Sequence, residues 1–497
     1  MPAAAPSATQ HRRVRRARRP VPGHTGFVPP LAVAAALALA ACVSGCSSSG
    51  PSPAQVTGAS ASCGKQGAEG STKGPATISV AYSSTQEFNA AYQAVDFFAA
   101  LKKDFEAAHP GVTVKLVPIG GSYSNFEEKV QLMLRSPATT ADVIHEWTQQ
   151  VGGQVEAGQL APLQGYLKSW PGWAQFPESV RLGGVPGPQT WQMVSGINDF
   201  GLYYNVNQFK QAGLPVPWQP KTWAEVLAAA KTIKQKVPGT TPLWMYAGNQ
   251  LFDQTTRENF LPLLQGTGSP VAQGFKWIVQ SKGLLATFNL YHDVFADGLG
   301  PSTSVLANPS ADGTVNGTLM PKQKVAIALV GNWVASWWIK GGPSPWPGGV
   351  KAYRVAPLPT ENGQAPGFAT QATGSTFVLT CASKHRRLAA ELMEMAESPS
   401  FNTKHVIWTG EVPPRNDVLH STAYTSSVPY FNNAESSWMK YATFSPSYNY
   451  TPYATCLGQV TGDIAANHLT GSAAMQQFKQ CATRAIGSSG VASLAGG

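Results

Sequence analysis

Beyond residue 76 the apolar positions follow two rhythms. Thr77-Ile78-Ser79-Val80-Ala81-Tyr82 alternates every second residue and predicts a strand. Ala91, Val95, Phe98, Leu101, Phe105 and Ala108 then recur at three and four, a helix that Pro110-Gly111 stops. Val112, Val114 and Leu116 alternate again. Ser124-Asn125-Phe126-Glu127 has the spacing of a capping box and opens a helix carrying Phe126, Val130, Met133 and Leu134. Asp142-Val143-Ile144 reads as a short buried strand. Strand, helix, strand, helix, strand predicts a parallel sheet with helices on both faces.

Residues 161–197 are rich in Pro, Gly and Trp, and the pattern then resumes. Leu202 to Asn205 is strand-like. Thr222-Trp223-Ala224-Glu225 is a second capping box, opening a helix with Val226, Leu227, Ala230 and Ile233 that ends at Pro238-Gly239. Residues 271–297 read as helical. Lys324 to Leu329 is a strand, after which Asn332 can cap a helix carrying Trp333, Val334 and Trp337. Val355 to Pro359 is extended, Thr376 to Thr380 is a strand, and Leu388, Leu392 and Met395 mark a further helix. No repeat period is present. The fold class is therefore α/β.

The N-terminus reads differently. Arginines at 12, 13, 15, 16, 18 and 19 precede an apolar run, Leu31 to Ala41, too short for a bilayer-crossing helix. A basic stretch followed by a short apolar one is the mark of a secretory signal. Both Leu39-Ala40-Ala41-Cys42 and Val43-Ser44-Gly45-Cys46 resemble the lipobox of bacterial lipoproteins, which implies a lipidated cysteine. Cys46 is favoured, with Cys42 the alternative, because a Ser/Gly/Pro tract follows Cys46 as a tether would. Residues 1–46 are thus expected to be signal peptide and lipobox, and 47–74 a flexible tether. Export permits disulfides. Cys456 and Cys481 lie in consecutive helical segments and can bridge. Cys381, in an apolar stretch, reads as a small buried hydrophobe.

Charge changes the picture little. Taking the six signal arginines from the 36 basic residues leaves 30 against 26 acidic ones, a near-neutral body with no need of a nucleic-acid partner. There is no phosphate loop, dinucleotide fingerprint, nucleophile elbow or metal-ligand spacing, so neither catalysis nor a cofactor or metal is expected.

Six stretches in order then resemble the extracellular solute-binding proteins of bacterial ABC importers, in particular the carbohydrate-binding group that includes maltose-binding protein. They are Ile78 to Glu87; Asp142 to Trp147 with Gly158 to Leu163; Gly201 to Asn205 with Phe209 to Leu214 and Lys221 to Glu225; Lys324 to Leu329 with Gly331-Asn332-Trp333; Val355 to Pro359; and Glu411 to Asn416. Residues 298–321 are longer than in that group, and Thr373-Gly374-Ser375 stands where it often has a double glycine. The resemblance implies a two-lobed, periplasmic-binding-protein-like fold with a ligand cleft and three crossings, near 197–203, 355–361 and 410–415. Lobe one would be 75–197 with 361–410, and lobe two 203–355 with 415–485. It also implies an exported, lipid-anchored subunit on the outer face of the cell membrane, held there through its lipid alone. That subunit would hand a sugar or oligosaccharide to permease subunits. A monomer is expected.

Sugars present C–H faces to aromatic rings and hydroxyls to polar side chains. The residues expected to supply these contacts are Ser84, Glu87, Glu146, Trp147, Gln149, Asn198, Asp199, Asn249, Asn332, Trp333, Tyr450 and Tyr453. Asn332 has the alternative of a helix cap. Trp223, Trp337 and Trp338 are expected in the core, and Arg415 at a hinge. Few Lys or Arg residues lie near these motifs, which argues against a phosphate or polycarboxylate ligand. A polyamine site needs Asp and Glu caged around aromatics, and the low acid content disfavours it. The alternatives are a non-sugar solute on the same fold and an exported carbohydrate-active enzyme.

Overall fold

The computed structural model of the protein describes residue 63 and residues 74–84, 91–121, 123–185, 187–251, 253–369, 371–427 and 443–495. Residues 1–46, expected as a signal segment and containing Cys42 and Cys46, lie outside the described residues, as does Glu87.

The first lobe grows from the strand-helix alternation. β1 (Ala76–Ser83) pairs in parallel with β2 (Val112–Ile119) on one side and β3 (Val143–Trp147) on the other. Between them run α1 (Ala91–Ala108) and α2 (Tyr123–Leu134). Phe98, Leu101 and Phe105 of α1 are buried against Ile78, Val80 and Val114 of the sheet. Each such side chain contributes about 1.5–3 kcal/mol by leaving water. α3 (Thr148–Glu156) follows β3 directly, and the Pro/Gly/Trp-rich stretch ends in β4 (Gln192–Val194).

The chain then crosses to a second sheet. β5 (Phe200–Asn205) is followed by α4 (Trp223–Lys236) and β6 (Thr241–Trp244). The capping box of α4 forms: Thr222 Oγ1 accepts from the Glu225 amide at 3.2 Å, and Glu225 Oε2 from the Lys221 amide at 2.7 Å. β7 (Ala272–Gln273) and β8 (Lys276–Gln280) make an antiparallel hairpin, so only α5 (Lys282–Ala296) of the expected 271–297 helix is helical. The reason is local. Trp277, Ile278 and Val279 are a β-branched and aromatic run, and Ser281 caps α5 by accepting from the Leu284 amide. β9 (Val325–Gly331) pairs with β5 and β6 and is followed by α6 (Val334–Trp338), β10 (Tyr353–Pro359) and β11 (Phe368–Ala369). The strand order is β11-β10-β5-β9-β6.

After β12 (Gln371–Ala372), β13 (Ser375–Leu379) enters the first sheet antiparallel to both β3 and β4, giving the order β2-β1-β3-β13-β4. Both sheets are thus mixed rather than parallel. α7 (Arg386–Ala396) and α8 (Pro399–Thr409) cover this sheet. α9 (Asn416–Leu419) and α10 (Thr422–Thr425) pack on α8 through Val406, Val418 and Tyr424. β14 (Thr443–Phe444) pairs with β12, and α11 (Tyr450–Asn467), α12 (Gly471–Ile486) and β15 (Val491–Ser493) complete the second lobe against α5 and β8.

These placements move two crossings. The second lies after β11 rather than near 355–361, because Phe368 and Ala369 still pair with β10. The third lies near 444–450 rather than 410–415, because α9 and α10 remain on the first lobe. Arg415 is no hinge. Its guanidinium donates to Glu397 O and Asp417 and lies 5.5 Å from the Trp170 ring centroid, all within lobe one.

Two disulfides brace the body. Cys456–Cys481 joins α11 to α12 with 5.7 Å between Cα atoms. Cys63–Cys381 fastens a residue expected in the tether to the turn after β13, with 5.1 Å between Cα atoms, so Cys381 is a bridge and not a buried thiol. Among the described residues no helix is long and apolar enough to cross a membrane.

Candidate functional site

Three short segments join the lobes, and the cavity opens beside them. Ile197 of the first crossing bridges Val412 of lobe one, and Asn198 bridges Thr373 beside the second crossing, so the first two crossings are pinned. Glu411 is the knot. Its Oε1 accepts from the Ser375 amide at 3.0 Å, its Oε2 from Ser375 Oγ at 2.8 Å, and His405 Nε2 lies 3.1 Å from Oε2. Ser195 Oγ donates to Ser375 Oγ at 3.0 Å and sits 3.0 Å from His145 Nε2. A Cβ at Gly196 would come within 2.2 Å of Glu411 Oε2, which is why glycine stands there. Burial pushes the Glu411 carboxyl up, but the hydrogen bonds and charge of His405, with those from Ser375 and Thr409, outweigh it and hold it below the usual range. Burial, aided by the charge of His405, pushes His145 down to about 3, so its ring is neutral at physiological pH.

Rings and carboxyls from both lobes wall the cavity. Lobe one contributes Phe97, Phe98, Trp147 and Trp408, with Glu146 beside Trp147 at the end of β3. Lobe two contributes Phe200, Trp333 and a buried polar run, Gln254-Thr255-Thr256-Arg257-Glu258-Asn259, wound as a π-helical turn over Gln254–Phe260. The turn is held from behind: Asn259 Nδ2 donates to Leu329 O at 3.0 Å and Thr255 Oγ1 to Gly248 O at 2.9 Å. That leaves Gln254, Arg257 and Glu258 to face the cavity, along with Asp253 just before the turn. π-turns are often found at functional sites. Gln149 Nε2 of lobe one donates to Asp253 Oδ2 of lobe two at 2.8 Å, a direct contact across the cleft. Arg257 lies 3.4 Å from Asp253 Oδ1, with its guanidinium 3.9 Å above the Tyr450 ring.

Two carboxyls here lack full pairing. Glu146 accepts from Gln154 Nε2 at 2.8 Å, but its other oxygen is buried with no protein donor. Burial, opposed by that hydrogen bond, pushes it up to about 8. Glu258 Oε2 is likewise buried without a donor, and burial with the neighbouring charges of Asp312 and Asp253 raises Glu258 well above the usual carboxylate range.

Of the residues expected from sequence, Glu146, Trp147, Gln149, Asn198 and Trp333 line the cavity. The others do not. Ser84 turns to β2, its amide donating to Ile119 O, and Ser83 takes the wall position. Asp199 is buried behind the first crossing. Asn249 is exposed and lies against Gly458 of α11. Asn332 is set back from the cavity wall and caps no helix; its Nδ2 donates to Ile197 O at 3.1 Å and braces the first crossing. Tyr453 is a core residue stacked on Trp277 at 4.1 Å. Tyr450 supports the wall from outside, its hydroxyl donating to Asp253 and its ring under Arg257. Arg257 also lines the cavity, beside Asp253. The π-helical turn was missed, although its signal was present: seven consecutive polar residues, Asp253 to Asn259, directly before Phe260-Leu261-Pro262-Leu263-Leu264.

Two mixed sheets joined by three crossings around a ring-lined, polar cavity define a two-lobed binding protein. The chain belongs to the bacterial extracellular solute-binding proteins, whose family description it matches over residues 85–402. That is a family of binding proteins, not of enzymes. Among curated relatives, a Brucella abortus protein named as a binding protein is 30% identical over 141 residues, 28% of this chain. The match spans only about a third (32%) of that relative's length. Among solved structures, the GacH receptor of Streptomyces glaucescens, studied unliganded and with acarbose, superposes with a TM-score of 0.67 at 18% identity, covering 83% of this chain and 99% of that one. The sugar-binding protein MalE of Xanthomonas citri gives 0.68 at 19%, covering 83% and 97%. UgpB of Mycobacterium tuberculosis, in complex with glycerophosphocholine, gives 0.66 at 16%, covering 84% and 99%. At these identities the likeness is one of fold.

Proposed function

We propose that the protein is the lipid-anchored, extracellular substrate-binding subunit of an ABC importer. It takes a sugar or oligosaccharide in the cleft between its lobes and delivers it to permease subunits. The observation that carries this reading is the composition of the cavity wall. Trp147 and Trp408 on one lobe and Trp333 and Phe200 on the other offer faces for sugar C–H groups, with carboxyl, amide and guanidinium groups between them for hydroxyls. The Gln149–Asp253 contact supports closure of the lobes over a ligand that touches both. The sugar-binding proteins among the structural neighbours support it further. The lobe bounds follow as 75–197 with 371–444, and 200–369 with 450–495. Anchoring rests on the lipobox at Cys46, with Cys42 the alternative.

A thermal-shift screen of sugars tests the binding. A ligand at 100 times its Kd adds about 2.7 kcal/mol of stability, and a screen in which no sugar raises the melting temperature refutes the reading. Glycerophosphocholine and polyamines in the same screen separate the alternative of a non-sugar solute. Cys46→Ala should release the protein from membranes or block its processing, and lipidation that survives it would move the anchor to Cys42.

A further inference from the structure

Among the described residues the cavity wall carries four carboxyl residues, Glu146, Asp253, Glu258 and Glu411, against a single Arg and no Lys. Two of the four are spoken for. Glu411 is saturated by Ser375 and His405, and Asp253 is shared among Gln149, Tyr450 and Arg257. The charge of Arg257 is thereby matched by Asp253. Glu146 and Glu258 remain, one from each lobe, 2% and 6% exposed, each with an oxygen that no protein group satisfies.

A neutral hydroxyl can hydrogen-bond such a carboxyl in its protonated form but does nothing to stabilise the ionised form. An ammonium group supplies donors and countercharge together, and the surrounding ring faces attract a cation as well as sugar C–H groups. This is the cage of acids around aromatics that the composition of the whole chain disfavours and that the fold nevertheless gathers at one place. We propose, resting on the reading that the cleft binds sugars, that it selects a saccharide bearing a protonated amine, with Glu146 Oε1 and Glu258 Oε2 as the acceptors. The carboxyls' raised affinity for protons in the ligand-free cleft has the same origin, buried acid without a cation beside it.

The test is calorimetry at pH 7 on the full mature chain with matched pairs: glucosamine, galactosamine and their β-1,4-linked disaccharides, each against the parent sugar with a hydroxyl in place of the amine. The amine member should bind at least about tenfold tighter, the scale of one charge-assisted hydrogen bond. Glu258→Gln and Glu146→Gln, which keep size and shape, should bring the ratio towards one. Parent sugars that bind as tightly as or more tightly than their amines overturn the proposal and leave the sugar reading standing. A preference for the amine that survives both substitutions overturns the assignment to these carboxyls. Binding of no sugar at all, or of spermidine alone, overturns the sugar reading and the proposal with it.

Discussion

Glu146 should weaken the ligand-free protein, and Glu146→Gln should measure by how much. Its carboxyl titrates at about 8 in the fold against 4.5 for an ordinary glutamate, because burial penalises the charged form more than the Gln154 hydrogen bond favours it. The folded chain therefore binds the proton more tightly than the unfolded one, and stability falls as pH rises from 4.5 to about 8. At pH 7 the difference spans about 2.5 units, or about 3 kcal/mol at 1.36 kcal/mol per unit. Glutamine keeps an acceptor for Gln154 and never ionises, so the variant should match the parent at pH 4 and exceed it by about 3 kcal/mol at pH 7. With about 2.1 cal/mol/K of unfolding entropy per residue over roughly 400 ordered residues, this is about 3–4 °C in Tm. Scanning calorimetry of both ligand-free proteins in steps from pH 4.5 to 8 reads it directly. His145, pushed down to about 3 by burial, tilts both curves the opposite way at lower pH, and the difference between proteins cancels it. Parallel curves would refute the argument and mean that Glu146 is already ionised in the cleft.

Trp333→Ala should weaken sugar binding by about ten- to a hundred-fold while shifting the ligand-free Tm little, because the ring is only partly buried and lies over Gly331 at the cavity wall. Unchanged affinity with a collapsed Tm would make it a core residue. Cys456→Ser with Cys481→Ser should cost about 3–4 kcal/mol from the entropy of a 25-residue loop, read by urea unfolding against the parent with and without reductant. A double variant as stable as the oxidised parent would refute that figure.

The alternation at 77–144 revealed half of the first sheet, because parallel strands joined by amphipathic helices write two periods into contiguous sequence. β13 was legible as a strand, but its antiparallel place between β3 and β4 was not, since no local pattern encodes a partner more than 180 residues away. The same holds for the site. Trp147 and Trp333 follow strands already recognised, so they could be placed. His405, Trp408 and Glu411 reach the cavity from α8 and the segment after it, and only the tertiary fold brings them to Ser375 and His145. Tyr453 could not be placed from sequence because a tyrosine on a helix reads alike whether it faces core or cleft. Its stack on Trp277 decides the matter.

The Cys63–Cys381 bridge alters the mechanics of attachment. On the proposed anchor at Cys46, the first strand begins 30 residues along at Ala76, a span that fully extended could reach roughly 100 Å from the membrane. The bridge ties the chain to lobe one at residue 63, only 17 residues from the lipid, which shortens the longest possible leash to roughly 60 Å. It moors the same half of the molecule that the first strand enters. Lobe one bears the leash, so lobe two is the half left to swing over an arriving solute.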